Sequence, residues 1–554
     1  MEEQINTNPY GFSKTKRETS LQAEEILFRS YRLYDQKAVR ISGGKPEFVD
    51  NPTKIRLVDY IGGDDTIILA ATNGFGLGIF RPSKKDFFRS LRTKKVLEPF
   101  KFTELKFHIE CPIKPALIIV PYPDASVNEY SGRYSVMSDT FHIPEGFSEN
   151  QIKGLVESYN LAYKSYEKFL EKDFTRELAR SVLGLGNFTQ FYWKLNLESL
   201  FSFISKYEAR NSKEMKLYVD IFKKIARAVA PLSYEAFESV DLHGETSDLE
   251  LKLNLAEIHK GREPLKDPHG ISETKRLCIE AAEKSLFKPV RCLDNGFLSP
   301  IDYMGSDESV VQAARVSYGK GTKKVSQDKE LARYLYRHAH TTPFEMIEIA
   351  FEAKLPFFVE RQWVRHRTAD KSGIFFPLSD FYIPEESQIR EQAKRNKQGR
   401  ADELLEQEKK EILDMLDKNR AKQKEVLEEL CKGKFNESVF LSQGVGHFMM
   451  WFWKNDLKNT LHFLNLRLDA HAQYEIRVYA NAMADFVKKV APFSWKAFED
   501  YTFNGTRFSS AETKIIKRMI AGEEFSEELM DEVGLTSKFE RGEVSEKIKN
   551  LLEK

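Results

Sequence analysis

The feature that most constrains this chain is that it repeats itself, in order. "IRLVDYIGGDDTIILAA" (Ile55 to Ala71) is echoed by "IDYMGSDESVVQAAR" (Ile301 to Arg315). "FYWKLNLESLFSF" (Phe191 to Phe203) is echoed by "WFWKNDLKNTLHF" (Trp451 to Phe463), and "APLSYEAFESVDLHG" (Ala230 to Gly244) by "APFSWKAFEDYTFNG" (Ala491 to Gly505). The separation runs from 243 residues (Asp59 to Asp302) to 261 (Ser233 to Ser494). A period this long is a duplicated domain rather than a solenoid unit of roughly 20–50 residues. The organisation expected is an N-terminal extension (1–54), copy 1 (55–250), a polar linker (251–290) containing "HKGREPLKDPHG", copy 2 (291–508) and a helical C-terminal tail (509–554).

Each copy reads as α/β (α+β), a sheet with long helices. "LKFHIECPIKPALIIVPY" and "IEIAFEAKLPFFVERQWV" alternate or run apolar like strands, whereas "NQIKGLVESYNLAYKSYEKFLEK" and "HAQYEIRVYANAMADFVKKV" have helical spacing. The charged stretch Glu386 to Lys432 predicts one long solvated helix, and the extension and tail are polar and helix-prone. Trp193 and Trp453 read as core. Composition bounds the function. A net charge of +1 gives no global field for nucleic acid or an anionic membrane, so any anion site must be built locally. Four dispersed cysteines (Cys111, Cys278, Cys292, Cys431) without a CxxC pair fit a reducing compartment. No apolar run approaches the ~18 residues of a membrane span, and "MEEQINTNPYGFSK" lacks the apolar stretch of a signal peptide, so a cytoplasmic protein is expected.

Two loops at corresponding places carry the chemistry. Copy 1 has "ASVNEYSGRYS" (Ala125 to Ser135), dense in donors and acceptors around one glycine; copy 2 has "RQWVRHRTA" (Arg361 to Ala369), dense in cations. Ala125 and Ala369 align, and each loop leaves by a similar exit, "FHIP" at Phe141 and "FYIP" at Phe381. Joined, they resemble the motif of flavin-dependent thymidylate synthases, an Arg-His-Arg followed seven residues later by Ser within RHRxASxNExSGRYS. Copy 2 matches its front and then departs in "DKSGIFFPLSD", with Phe375 at the serine position; copy 1 matches its back, with "VPYPD" in place of Arg-His-Arg. Other family positions divide likewise. Copy 2 keeps "HTTPFE" (His340 to Glu345) and "LHFLNLRLDAHAQYEIR", where copy 1 has "VLEPFK", Ser202 and Tyr207; copy 1 keeps "ELARSVLG" with Arg180, where copy 2 has Phe440.

The resemblance implies one composite site made from two specialised copies. By the same resemblance, that site would convert dUMP to dTMP with FAD, using NADPH and 5,10-methylenetetrahydrofolate as co-substrates and no enzyme cysteine. Arg133, Arg180 and Arg467, with Ser131 and the Gly132 backbone, would cradle the nucleotide phosphate, since guanidinium forks meet phosphate oxygens in pairs. Gln362 and Glu129 would hydrogen-bond the substrate. Arg365, His366 and Arg367 would contact the flavin, where cations favour the anionic reduced ring; Ser317, Thr342, Glu345 and His462 are further flavin positions. Arg467, His340 and Glu129 are the catalytic candidates. The family's Asn-x-Arg is Asn196 with Glu198 in copy 1 and Asp456 with Lys458 in copy 2, so Asn196 is the retained cofactor candidate. Two chains would supply the four domains of the family's homotetramer, as a homodimer with no nucleic-acid or membrane partner. Two other classes stay open: a catalytically retired flavin- or nucleotide-binding regulator, and a related methylation of another pyrimidine nucleotide.

Overall fold

A computed structural model describes Phe12–Ser13 and residues 25–34, 37–74, 83–132, 135–210, 213–247, 249, 278–318, 325–373, 379–392, 400–430 and 443–552. The part of the linker between 251 and 277 therefore lies outside the described residues. The chain divides into two compact units, Met1–Ser494 and Trp495–Lys554. The second contains the helices Ser510–Ile520, Glu527–Glu532 and Lys538–Leu552 around Ile515, Leu529, Met530, Val544 and Ile548. Ser509 and Ser526 cap the first two of these helices, accepting from backbone N–H groups that would otherwise lack partners.

In the first unit each copy builds a five-stranded antiparallel sheet. Copy 1 contributes β1 (Ser30–Arg32), β2 (Lys54–Ile61), β3 (Glu104–Pro112), β4 (Ala125–Glu129) and β5 (Phe188–Asn196), in the order β1-β2-β3-β5-β4. Copy 2 contributes β6 (Val290–Cys292), β7 (Gly296–Met304), β8 (Glu348–Pro356), β9 (Asp370–Gly373) and β10 (Phe448–Asp456), in the order β6-β7-β8-β10-β9. The registers make the copies equivalent. Ser126 lies opposite Lys194 and Asp370 opposite Lys454, so Ala125 and Ala369 correspond. A bulge falls between Leu57 and Asp59 and again between Pro300 and Asp302. Phe141 and Phe381 bridge to Asn187 and His447 at the two loop exits.

Three local expectations change. The extension is not helical after residue 30: β1 joins the sheet, and Lys37–Ser42 pairs with Lys45–Asp50 as a hairpin turning at Gly43 and Gly44, both at positive φ. Val39 and Ile41 of this hairpin bury against Val156, Tyr159 and Tyr163 of the Glu149–Glu171 helix, so tertiary packing overrides the polar composition. Both long apolar runs change type halfway. β3 ends at Pro112 and β8 at Pro356; each proline, lacking the N–H a strand would need, becomes the N-cap of a short helix, Ile113–Ile119 or Phe357–Trp363. In the charged stretch the helix is Glu406–Leu430, preceded by a hairpin of Arg390–Gln392 with Arg400–Glu403.

One face of each sheet holds its own core: Phe107 and Trp193 with Phe203 and Phe222 in copy 1, Trp363 and Trp453 with Phe463 in copy 2. The opposite faces meet each other across a pseudo-twofold. Asp302 accepts from Gly62 N at 3.1 Å and Asp59 from Gly305 N at 3.0 Å. Both glycines have φ near +80°, and a Cβ on either would meet a backbone oxygen at under 3 Å, which explains the shared "Y-x-G" spacing. Phe102 packs edge-on to Phe452, with Ala70 and Ile301 beside them.

At the centre are buried charges. Lys194 hydrogen-bonds Glu348 and lies 3.3 Å from Glu104; Lys454 hydrogen-bonds Glu104 and lies 3.0 Å from Asp370. Burial works against the charge on Glu104, yet Lys194 and Lys454 hold its carboxyl below the usual range. Two ammonium groups cannot neutralise Glu104, Glu348, Asp370 and Asp456 together, and burial followed by repulsion from Glu104 pushes Glu348 up to about 8. A raised carboxyl pKa favours the protonated folded state. Its contribution is fully present below the ordinary value of 4.5 and is lost as pH rises through about 8. Glu348→Gln, which keeps an acceptor for Lys194, is expected to flatten that loss. Between pH 5 and 8 the unfolding free energy of the wild type should fall relative to the variant by up to about 1.4 kcal/mol per pH unit, read from denaturant melts.

Candidate active site

The copy 1 loop is closed on itself. Tyr130 N donates to Gln190 O at 2.9 Å, Ser135 N to Ser131 O at 3.0 Å, and the Tyr130 hydroxyl to Val136 O. Met137 N is fixed by the Tyr166 hydroxyl at 2.9 Å. Gly132 is buried against Arg180: a Cβ there would lie 2.8 Å from Arg180 Cδ, 3.1 Å from its Nη1 and 2.7 Å from Met137 Sδ. The glycine is needed for this close approach and not for backbone strain, because its φ is not left-handed. Arg180 ends the short Arg176–Ala179 helix, which Thr175 caps, and pairs with Glu177 at 2.7 Å. Both partners are exposed enough that the pair is worth about 0–1 kcal/mol, so an incoming phosphate can displace Glu177. Glu129 accepts from Thr189 at 2.8 Å; loss of water raises its carboxyl pKa, against the Thr189 hydrogen bond and the Arg180 charge. The loop therefore gathers Glu129, Ser131, Gly132 and Arg180. Arg133 lies outside the described residues.

The copy 2 group surrounds the Leu457–Arg467 helix. Near its C-terminal end Arg467 Nη2 donates to Gln362 O at 2.9 Å, while Arg467 Nε is buried without a partner among the described residues. The Gln362 side chain donates to Gln473. His366 is buried, 4.9 Å from the Phe463 ring and 5.7 Å from His462. Burial, then the Arg467 guanidinium and His462, drive its imidazole down to about 4, so His366 is neutral near pH 7 and only the two flanking arginines are cationic. Arg365 and Arg367 are exposed, and no carboxylate among the described residues forms an ion pair with either. In the first turn of the same helix Lys458 pairs with Glu345 at 2.6 Å, beside exposed Thr342. His340 is exposed in the turn before it, 6.1 Å from the Tyr334 ring. Ser317 falls in the Asp307–Tyr318 helix, its side chain outside the described residues.

The groups from the two copies meet at one point. Asn128 Nδ2 donates to Thr342 O at 3.2 Å and Thr342 Oγ1 donates to Asn128 Oδ1 at 3.1 Å, while β4 packs on the Asp307–Tyr318 helix. Thus "NEYSGR" and "HTTPFE" are brought together, and "RHR" is brought to "LHFLNLR". The 11-residue Leu457–Arg467 helix links the two assemblies and is about 16 Å long.

The pseudo-symmetric region of copy 1 is filled. Where copy 2 has Glu345 and Lys458, copy 1 has Lys101 and Glu198, with the signs exchanged. Glu198 is held by Arg92, which also donates to Asp241 at 2.7 Å and lies over the rings of Phe100, Phe201 and Phe237 at 5.0, 5.4 and 5.6 Å. Asn196 is buried beside it, its oxygen capping the Leu197–Glu208 helix at Ser199 N; Asp456 caps the Leu457–Arg467 helix in the same way. Sequence reasoning missed Asn128, Gln473 and Arg92. The first two stand inside quoted motifs, but their partners are 214 and 111 residues away. Cys111, Cys278 and Cys292 are buried outside any disulfide, and burial raises the Cys111 thiol and pushes Cys292 up to about 12, so neither Cys111 nor Cys292 is poised as a nucleophile.

The family model described as thymidylate synthase complementing protein matches the chain twice, over residues 56–232 and 300–493. A flavin-dependent thymidylate synthase of Ehrlichia ruminantium (strain Gardel) is 47% identical over 260 residues, 46% of this chain and 88% of the relative. One of Rickettsia bellii is 44% identical over 273 residues, 46% of this chain and 93% of the relative. One of Gluconobacter oxydans is 44% identical over 263 residues, 46% and 87%. Each match thus spans most of the relative and less than half of this chain. A solved UMP/dUMP methylase from Streptomyces cacaoi, bound with 5-Br UMP, is 23% identical over 39% of this chain and 98% of that chain, with a TM-score of 0.35. The neutral imidazole is directly measurable. In NMR titrations the His366 resonance should move near pH 4, and Arg467→Ala should raise that midpoint.

Proposed function

Because the chain belongs to the thymidylate synthase complementing protein family, that of the flavin-dependent thymidylate synthases, we propose that it methylates dUMP to dTMP at a site shared by its two copies. The observation carrying the shared site is the direct bonding of the copy 1 loop, through Asn128, to Thr342 of copy 2. Arg180, released from Glu177, and Arg133 bind the phosphate from the copy 1 side, with Gly132 allowing the chain to close on it. Gln362 hydrogen-bonds the substrate, and Arg467, which donates to the Gln362 carbonyl, joins the phosphate cradle. The buried Arg467 Nε, without a partner among the described residues, is a donor that suits a carbonyl or phosphate oxygen. Glu129, its pKa raised, sits where it can accept a substrate hydrogen bond or hold a proton.

The residues also fit FAD. Exposed Arg365 and Arg367, with no carboxylate ion-paired to either among the described residues, neutral His366, Thr342 and Glu345 in the Thr342–Met346 turn, and His462 on the Leu457–Arg467 helix offer cations and hydrogen bonds to a planar, anionic group. When bound, the flavin supplies hydride drawn from NADPH, and 5,10-methylenetetrahydrofolate supplies the one-carbon unit. Ser317 and His340 border this track. Asn196 and its neighbours belong to the filled counterpart, which supports one FAD per chain. Two assemblies held a helix length apart within one chain support a homodimer, in which a second chain completes each site. Cysteines dispersed without a CxxC pair support a cytoplasmic setting, and among the described residues no helix is long and apolar enough to cross a membrane.

In a complete assay with dUMP, FAD, NADPH and 5,10-methylenetetrahydrofolate, dTMP should form. Protein that binds FAD and dUMP but yields no dTMP would establish the retired-regulator reading instead. Arg180→Ala should weaken dUMP about tenfold or more, the loss of one charge-assisted hydrogen bond. Flavin absorbance against protein concentration, with mass from light scattering, should give one FAD per chain in a dimer. Saturation near two per chain would show that the Arg92 region also accepts a flavin.

A further inference from the structure

Resting on the reading above, we propose that Asn128 is the positioning residue that couples nucleotide binding in copy 1 to flavin binding in copy 2. The residue is 6% exposed, and its carboxamide makes both of its described bonds to Thr342: Nδ2 donates to the backbone carbonyl at 3.2 Å and Oδ1 accepts from the hydroxyl at 3.1 Å. Only this orientation works, because a flipped amide would set its oxygen against the Thr342 carbonyl. Asparagine matches a donor and an acceptor on one residue with its own acceptor and donor. Aspartate lacks the donor, and serine lacks the reach.

The clamp lies where the two functions adjoin. One residue beyond Asn128 begins the loop of Glu129, Ser131 and Gly132 against Arg180; three residues beyond Thr342 stands Glu345, paired with Lys458. Lys106 of β3 reinforces the same joint, donating to Ser309 Oγ at 3.1 Å on the helix that carries Ser317. A phosphate that draws the loop in therefore pulls through Asn128 on the segment that borders the flavin. The joint is one-sided. The pseudo-symmetric positions are Ser372 and Glu98, residue types that cannot form the same two-bond pattern, so the filled region lacks the link as well as the site.

The test is a thermodynamic cycle rather than turnover. FAD affinity is measured by flavin fluorescence in the full-length protein with and without saturating dUMP, and dUMP affinity by calorimetry with and without FAD. In the wild type each ligand should tighten the other about tenfold, equally in both directions. In Asn128→Ala both should still bind, but the ratio should fall below about twofold. A residue needed only for folding would weaken both ligands and leave the ratio intact. Thr342→Ser should keep the coupling and Thr342→Val, at an exposed position, should lose part of it; the latter decides the matter if Asn128→Ala does not fold. Wild-type coupling retained in Asn128→Ala, or in Thr342→Val, overturns the proposal while the proposed function stands. Wild-type protein that binds both ligands without coupling also overturns it. Failure of the wild type to bind either ligand overturns the proposed function itself.

Discussion

Two lysines, Lys194 and Lys454, shared among carboxylates from both copies, are the interaction on which the rest of the first unit depends. Each sits on the central pair of its sheet, on the face turned away from the aromatic core. Removing one partner would leave a buried charge unpaired, a penalty of about 3–5 kcal/mol, so the sheets are bound to this one relative placement. An apolar seam would allow them to slide. The charges also connect the seam to the chemistry, since Asp370, bonded to Lys454, lies three residues beyond Arg367, and Ser126, across from Lys194, lies two residues before Asn128.

From that placement the division of labour follows. Each sheet's edge loop is presented to the other copy: β4 meets the Asp307–Tyr318 helix and the Thr342 turn, and β9 meets the Asp64–Gly74 helix and the Phe102 turn. A true twofold would make these equal. Here one carries Asn128, Glu129 and an approach to Arg180, while the other adjoins a region occupied by Arg92. The asymmetry is local and chemical, laid over a backbone that keeps its symmetry down to the bulges and the paired glycines.

Much of this was legible in the residues. The repeat, the alignment of Ala125 with Ala369 and the long helices rest on local pattern, and local pattern survives folding. The short helices after Pro112 and Pro356 were hidden because a segment of seven residues does not declare its period; the prolines were the available sign. The hairpin of residues 37–50 was hidden because the burial of Val39 and Ile41 is supplied by the Glu149–Glu171 helix, over a hundred residues on. In the site, the loops could be found by motif, but not the state of His366, whose low pKa comes from burial and then from Arg467 and His462, nor the bond of Asn128 to Thr342. Each of these is a property of a pair, and one strand of sequence shows only half of a pair.

The Arg92 cluster has a consequence for how such a chain can change. Glu198, Asp241 and Arg92 satisfy one another behind a wall of three phenylalanines, and Lys101 stands where the other copy has Glu345. Returning any one of them to the residue of copy 2 strands a partner in a nearly dry environment, with a loss of several kcal/mol. The intermediates on the path back to two equal copies are therefore less stable than either end. Once acquired, the cluster works as a ratchet: this region of copy 1 has been committed to support, and reversal requires several substitutions at once.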